Sequence, residues 1–292
     1  MSFPPPVDWA RLHHAYGPAD DVPGQLAALA DADPEVRAAA VSALTGNVYH
    51  QGTRWQASAH AVAPLVALVD RPGTPDRAAV LYLLHAVALG DPSDDDLPFD
   101  PGHAFAEADR VGPADEREVI RVLYEEDDPD VDSIADVGDA VVVLWAADAY
   151  RAVERHTASV LAWLRDPDPV VVSRAAALAV WYPRIPGLAE ALTTVPLDSG
   201  AARASANLAL AHLPGPLGTG ELASLTACLT SPHETTRVTA AVALARHRAT
   251  ALPDEALTVL VQAYDGEVTG DVPGWDRALR GHVARALHRL GL

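Results

Sequence analysis

Residues 166–183, DPDPVVVSRAAALAVWYP, read as one turn followed by one helix, and the chain rewrites that unit several times over. Arg174 is followed three, four and seven positions on by Ala177, Leu178 and Trp181. The same offsets from Arg37 give Ala40, Val41 and Leu44, and from Arg77 they give Val80, Leu81 and Leu84. Arg203 (Ala206, Asn207, Leu210), Arg237 (Ala240, Ala241, Leu244) and Arg280 (Val283, Ala284, Leu287) repeat it again. Residues at these offsets share one face of a helix. Turn signals precede most copies: Asp33-Pro34, Thr74-Pro75, Asp168-Pro169, Asp198-Ser199 and Ser231-Pro232. An Asp, Ser or Thr there caps free amide groups, and Pro is tolerated at the first helical position. A helix that recurs in this way predicts a stacked solenoid.

Working outward, the pattern predicts about six antiparallel helix pairs in an all-α superhelix, taken as one domain over residues 1–292. A short capping helix is expected over 7–16, and then helices over 25–30 and 34–44, 56–69 and 75–89, and 116–124. A long helical stretch over 137–164 is expected to pair with 166–181, followed by 188–193 with 201–213, 221–229 with 235–247, and 255–264 with 275–290. Residues 91–139 interrupt the array as an acidic, largely irregular insertion. They hold 18 acidic residues against 3 Arg, a balance of −15, and the remainder, with 22 acidic and 18 basic residues, comes to −4.

The net charge of −19 argues against nucleic acid, whose binding depends on neutralising phosphates. All 21 basic residues are Arg, which removes Schiff-base chemistry and the Lys-dependent phosphate loop. Cys228 is the only cysteine, so neither an intrachain disulfide nor a thiolate metal cluster is available. The first residues, MSFPPPVDWARLHH, lack the basic flank and apolar run of a signal peptide, and no stretch reaches the length of a membrane helix. A cytoplasmic protein with no membrane partner and no cofactor is expected.

The Asp-Pro turns (Asp33-Pro34, Asp168-Pro169), the recurring Args and the Ala-Ala…Ala-Leu helices together resemble the HEAT-repeat family, including its phycobilisome-lyase-like bacterial branch. The resemblance covers most of the chain outside 91–139 and speaks to fold rather than function. A cation in the first turns of a helix opposes the helix dipole by roughly 0.3–1 kcal/mol, so six recurrences imply a fixed partner. The resemblance implies a stacking ladder in which Arg37, Arg77, Arg174, Arg203, Arg237 and Arg280 pair with turn carboxylates such as Asp33, Asp168 and Asp198. An anion-binding row on the concave face is the other reading.

Residues 46–60, GNVYHQGTRWQASAH, form the best candidate site. Asn47, Tyr49, His50, Gln51, Arg54 and Trp55 gather donors, acceptors and two aromatics in one inter-helix link, and Trp, Tyr and Arg are over-represented at binding hot spots. The competing reading is that Tyr49 and Trp55 plug the core while the polar groups satisfy loop backbone. In the acidic insertion, Asp128, Asp130, Asp132, Asp136 and Asp139 fall at the ligand spacing of a helix–loop–helix calcium site. Ser133 stands where the turn wants Gly and Asp139 replaces the bidentate Glu, and a run this acidic is more often a solvated linker. Cys228 reads as a buried inert thiol and His233 as a polar residue at a helix start.

These features point to a non-enzymatic scaffold whose concave face binds a protein or peptide, with a basic partner favoured by the charge and an inhibitor or immunity-type role as its narrower form. The alternative, from another class, is an enzyme or enzyme subunit of a HEAT-like family, such as a lyase subunit or an alkylpurine DNA glycosylase.

Overall fold

The computed structural model describes residues 7–266, 268 and 270–292, and these are predominantly helical with two small hairpins. They fall into two compact units. One holds the chain up to Pro92 together with Asp100–His156, and the other holds Ser93–Phe99 together with Thr157–Leu292. The acidic segment 91–139 is therefore divided. Residues 93–99 belong to the second unit, and most of the remainder is built into the first. Among the described residues, no helix is long and apolar enough to cross a membrane.

In the first unit, β1 (His13–His14) and β2 (Gly17–Pro18) make a hairpin where a capping helix is expected over 7–16; only Trp9–Arg11 forms a 3-10 turn. The Gly17-Pro18 turn wins because Gly17, at φ 130, takes a conformation that side chains resist. Then come α1 (Val22–Ala28), α2 (Pro34–Asn47), a second hairpin of β3 (Tyr49–His50) and β4 (Thr53–Arg54), α3 (Ser58–Asp70) and α4 (Arg77–Leu89). The short α5 (Pro101–Ala104), then α6 (Pro113–Tyr124) and the long α7 (Ala135–Glu154), complete it. The core lies where α3, α4 and α7 meet, and α6 lays Val119, Ile120 and Val122 onto Val141 and Trp145 of α7. Pro113 opens α6 at the position where a missing N–H costs nothing, which is why a helix forms inside the acidic segment.

The second unit contains α8 (Thr157–Trp163), α9 (Pro169–Ala179), α10 (Leu188–Thr193), α11 (Ala201–His212), α12 (Thr219–Cys228), α13 (Glu234–His247), α14 (Asp254–Asp265) and α15 (Leu279–Arg289). The expected long helix over 137–164 is broken between α7 and α8 at Arg155-His156. α11 is flanked by α9 and α13, and every residue from Ala202 to His212 is buried. A helix packed on all sides needs small residues, and its alanines allow that close approach. Its buried polar groups are bonded to those neighbours. Ser205 Oγ donates to the Ser173 carbonyl (2.6 Å) and accepts from Trp275 Nε1 (2.8 Å), and Asn207 Nδ2 donates to the Thr236 carbonyl (3.2 Å).

Of the five expected turn signals, two act as side-chain caps. Asp33 Oδ1 accepts from the Glu35 amide (2.9 Å) and Asp168 Oδ1 from the Val170 amide (2.8 Å), each followed by Pro at the first helical position. At the others the helix starts two residues later than the signal implies, behind Asp76, Gly200 and His233. With Asp33 and Asp168 spent on their own helices, four of the six recurring Args meet carbonyls. Arg37 donates to the Asp31 and Ala32 carbonyls (both 2.9 Å), and Arg77 to that of Val69 (2.7 Å). Arg203 donates to the Thr193 and Val195 carbonyls (3.1 and 3.0 Å), and Arg237 to those of Ser231 and Pro232 (2.7 and 3.1 Å). Each of these acceptors ends the preceding helix or lies in the turn after it. The partial negative charge of a helix C-terminus attracts a cation, so these Args staple one helix of a pair to the next. Arg37 meets a carboxylate as well, its Nε reaching Asp76 Oδ2 at 2.7 Å. Arg280 instead lies 5.8 Å from the centroid of the Tyr264 ring.

Candidate functional site

The link over 46–60 folds as the β3–β4 hairpin, and its six candidate residues point in different directions. Asn47, the last residue of α2, donates to Asp21 Oδ2 (3.0 Å) and Gln25 Oε1 (3.2 Å). Tyr49 is buried and its hydroxyl donates to the Asp91 carboxylate. Burial, and then that bond, push the phenol well above its usual pKa. Arg54 Nη1 donates to the Gly52 carbonyl (2.7 Å) and lies against Gly90, where an added Cβ would stand 1.8 Å from it. Gly90, at φ 77, is what lets the end of α4 approach the hairpin so closely. Trp55 turns inward, its ring 5.9 Å from Trp145 and 6.5 Å from Tyr124. His50 and Gln51 face outward, with Gln51 exposed at the tip in the left-handed region (φ 49).

The first hairpin meets the second through Tyr16. Its ring packs edge-on against His50 at 5.3 Å, its hydroxyl lies 3.3 Å from His50 Nδ1, and it remains 67% exposed. His14, behind it, contacts Asp21 Oδ1 through Nε2 at 3.0 Å. The link therefore contributes two outward residues to a face completed by Tyr16, which the sequence pattern did not single out. The available signal was the Gly17-Pro18 turn directly after it.

Beneath this face lies an aromatic cluster. His13 stacks on Tyr124 at 4.9 Å, and the Tyr124 hydroxyl donates to the His14 carbonyl (2.8 Å). Burial raises the Tyr124 pKa. Glu116 Oε1 accepts from Trp145 Nε1 (2.7 Å) and Gln56 Nε2 (3.2 Å). Two buried atoms of the cluster, His13 Nδ1 and Trp55 Nε1, have no hydrogen-bond partner. A buried polar atom left unpaired costs about 1–3 kcal/mol.

The acidic residues at the calcium spacing fall on more than one element. Asp130 gives its carbonyl to Ser133 Oγ (2.6 Å), Asp136 and Asp139 lie on α7, and no group of three or more acidic, His or Cys side chains among the described residues is placed to hold a metal. Spacing along the chain fixes neither side-chain direction nor convergence, and like charges in one run favour separation in solvent. Cys228 is buried with its thiol 3.8 Å from Asn207 Oδ1, and His233 precedes α13 with Nε2 3.1 Å from the Asp198 carbonyl.

In the second unit, side chains from α11, α13 and α15 line a cavity of about 440 Å3. Arg246, Arg277, Arg285 and Arg289 converge there with His212, His282 and His288. Residues 93–99 lie along its rim. The Asp94 carboxylate accepts from the Arg277 amide (3.0 Å) and comes within 3.7 Å of His282 Nε2. Asp95 pairs with Arg277 and Arg285, and the Leu97 carbonyl accepts from Arg246 Nη2 (3.1 Å). Burial raises the Asp94 pKa, whereas the two arginines hold Asp95 low against its desolvation. Burial also depresses His212 to about 2 and His282 to about 4, with the surrounding arginines adding to the shift. The signal in the sequence was the Arg- and His-rich run 277–289 closing a chain of net charge −19.

Searches of protein-family models, curated proteins and solved structures find no match to this chain.

Proposed function

We propose that the protein is a non-enzymatic binding protein, a HEAT-like α-solenoid in each of whose units helix pairs stack, and that it docks a protein or peptide of basic character on the Tyr16–His50 face. The observation that carries this reading is Tyr16 itself, an aromatic side chain 67% exposed and braced by His50. A Tyr at such a position contributes nothing to a core, and Tyr is a preferred anchor at interfaces. The net charge of −19 favours a basic partner and speeds its encounter.

Affinity capture from the native host's lysate tests this with a Tyr16→Ala, His50→Ala, Gln51→Ala variant, whose side chains are outward and whose loss leaves the helices intact. A basic protein retained by the unaltered chain, lost by the variant and released by raising salt supports the reading. Equal capture by both proteins overturns it.

A further inference from the structure

We propose that the second unit contains a binding site for a small, multiply charged oxyanion, a phosphorylated or polycarboxylate compound, in the cavity between α11, α13 and α15. The cavity, at about 440 Å3, is within the range of roughly 300–1,000 Å3 typical of small-molecule sites. Its walls combine apolar Val242 and Ala286 with four guanidinium groups.

The charges do not balance within the protein. On the rim, Asp94 accepts from the Arg277 backbone amide, and Asp95 is paired with the Arg277 and Arg285 guanidinium groups. Arg246 and Arg289 have no carboxylate partner among the described residues, and Arg246 spends one N–H on the Leu97 carbonyl. Arg246 is half-buried beside Arg289 and Arg285, and gathering like charges in a partly dry site is unfavourable without a counter-ion.

Two further polar groups await a partner. His212 and His282 are 5% and 4% exposed, and both line the cavity. His212 Nδ1 and His282 Nε2 are buried without hydrogen-bond partners, the nearest carboxylate to His282 Nε2, that of Asp94, standing 3.7 Å away. Their rings stand 6.2 Å apart at 83° to each other, braced by Trp275 at 5.6 and 6.0 Å. Neutral imidazoles fixed in this way can hydrogen-bond a ligand, while the planar guanidinium fork suits phosphoryl and carboxylate oxygens alike. Asp95 already occupies the forks of Arg277 and Arg285 from the rim, so a bound oxyanion competes with it for their charge.

Isothermal titration calorimetry with pyrophosphate and, separately, citrate tests the proposal on the full chain. Saturable binding of one probe identifies the phosphoryl or the carboxylate source. Arg289→Gln, an exposed change that the helix tolerates, is expected to weaken that binding at least tenfold. Asp95→Asn removes the competitor and is expected to tighten it, an effect that a merely structural role for the rim would not produce. Arg11→Gln, in the other unit, serves as the charge control and should leave affinity unchanged. No binding of either probe at millimolar concentration overturns the proposal, as does binding that Arg289→Gln and Arg11→Gln affect equally.

Discussion

Arg203 is fully buried in α11, and the consequence of removing it can be worked from its bonds. Nε donates to Asn207 Oδ1 (3.0 Å), Nη1 to the Thr193 and Val195 carbonyls (3.1 and 3.0 Å), and Nη2 to Ser224 Oγ (2.8 Å). In Arg203→Ala, the Val195 carbonyl and Asn207 Oδ1 are the most enclosed acceptors to lose their donor, at about 1–3 kcal/mol each. Two lost methylenes add about 1.6 kcal/mol. Against this, a guanidinium no longer has to be taken out of water, a gain of several kcal/mol. The net expectation is a destabilisation of about 3 kcal/mol, seen as a fall in melting temperature of roughly 10 °C by far-UV circular dichroism. Arg203→Met separates the causes, because it keeps an apolar stem and removes only the fork. If the staple to the end of α10 is what the arginine supplies, Met is also destabilising. A Met variant as stable as the unaltered protein would refute the argument, since it would mean that a buried cation is merely tolerated there and is better replaced by a hydrophobe.

The neutral state of His212 and His282 makes the fold acid-sensitive. Their folded pKa values, about 2 and about 4, lie below the ordinary 6.5, so the unfolded chain binds the extra protons and stability falls as pH drops below 6.5. Between pH 7 and 5 each ring accounts for about 2 kcal/mol, while Asp94, whose pKa is raised, works in the opposite direction nearer pH 4. Melting temperatures from pH 7 to 5 should decline less steeply in His282→Gln than in the unaltered chain, and parallel curves would contradict the assignment. Gly90→Ala forces a Cβ against Arg54 and the Gly52 carbonyl at a φ of 77, and a loss of at least about 1–3 kcal/mol in urea unfolding is expected. Asp168→Ala removes the cap of α9 and should cost about 1 kcal/mol by the same measurement, with Asp168→Asn close to neutral.

The sequence by itself determined that the chain is helical and where much of the helix lies. Periodicity and Pro at the first helical position are local, and α2, α9 and α13 form close to where the offsets from Arg37, Arg174 and Arg237 place them. It also singled out the recurring Args, because a cation in an unfavourable part of a helix needs a partner wherever it sits. The identity of that partner depended on tertiary structure. Asp33 and Asp168 cap the amides two residues on, and the carbonyls that attract the guanidinium groups lie at the end of the preceding helix or in the turn after it.

The candidate sites divide in the same way. Composition marked 46–60 as unusual, yet only the pairing of β3 with β4 decides that Tyr49 and Trp55 turn inward while His50 and Gln51 turn out to meet Tyr16. Nothing local joins His212 and Arg246 to Arg277, Arg285 and Arg289, which come from three helices and the turn before the last. Nor does any local pattern bring Asp94 and Asp95 to Arg277 and Arg285. Local pattern fixes backbone conformation because its forces act within a turn or two of helix. The meeting of charges far apart in the chain is decided by packing, which is settled only when the helices are assembled.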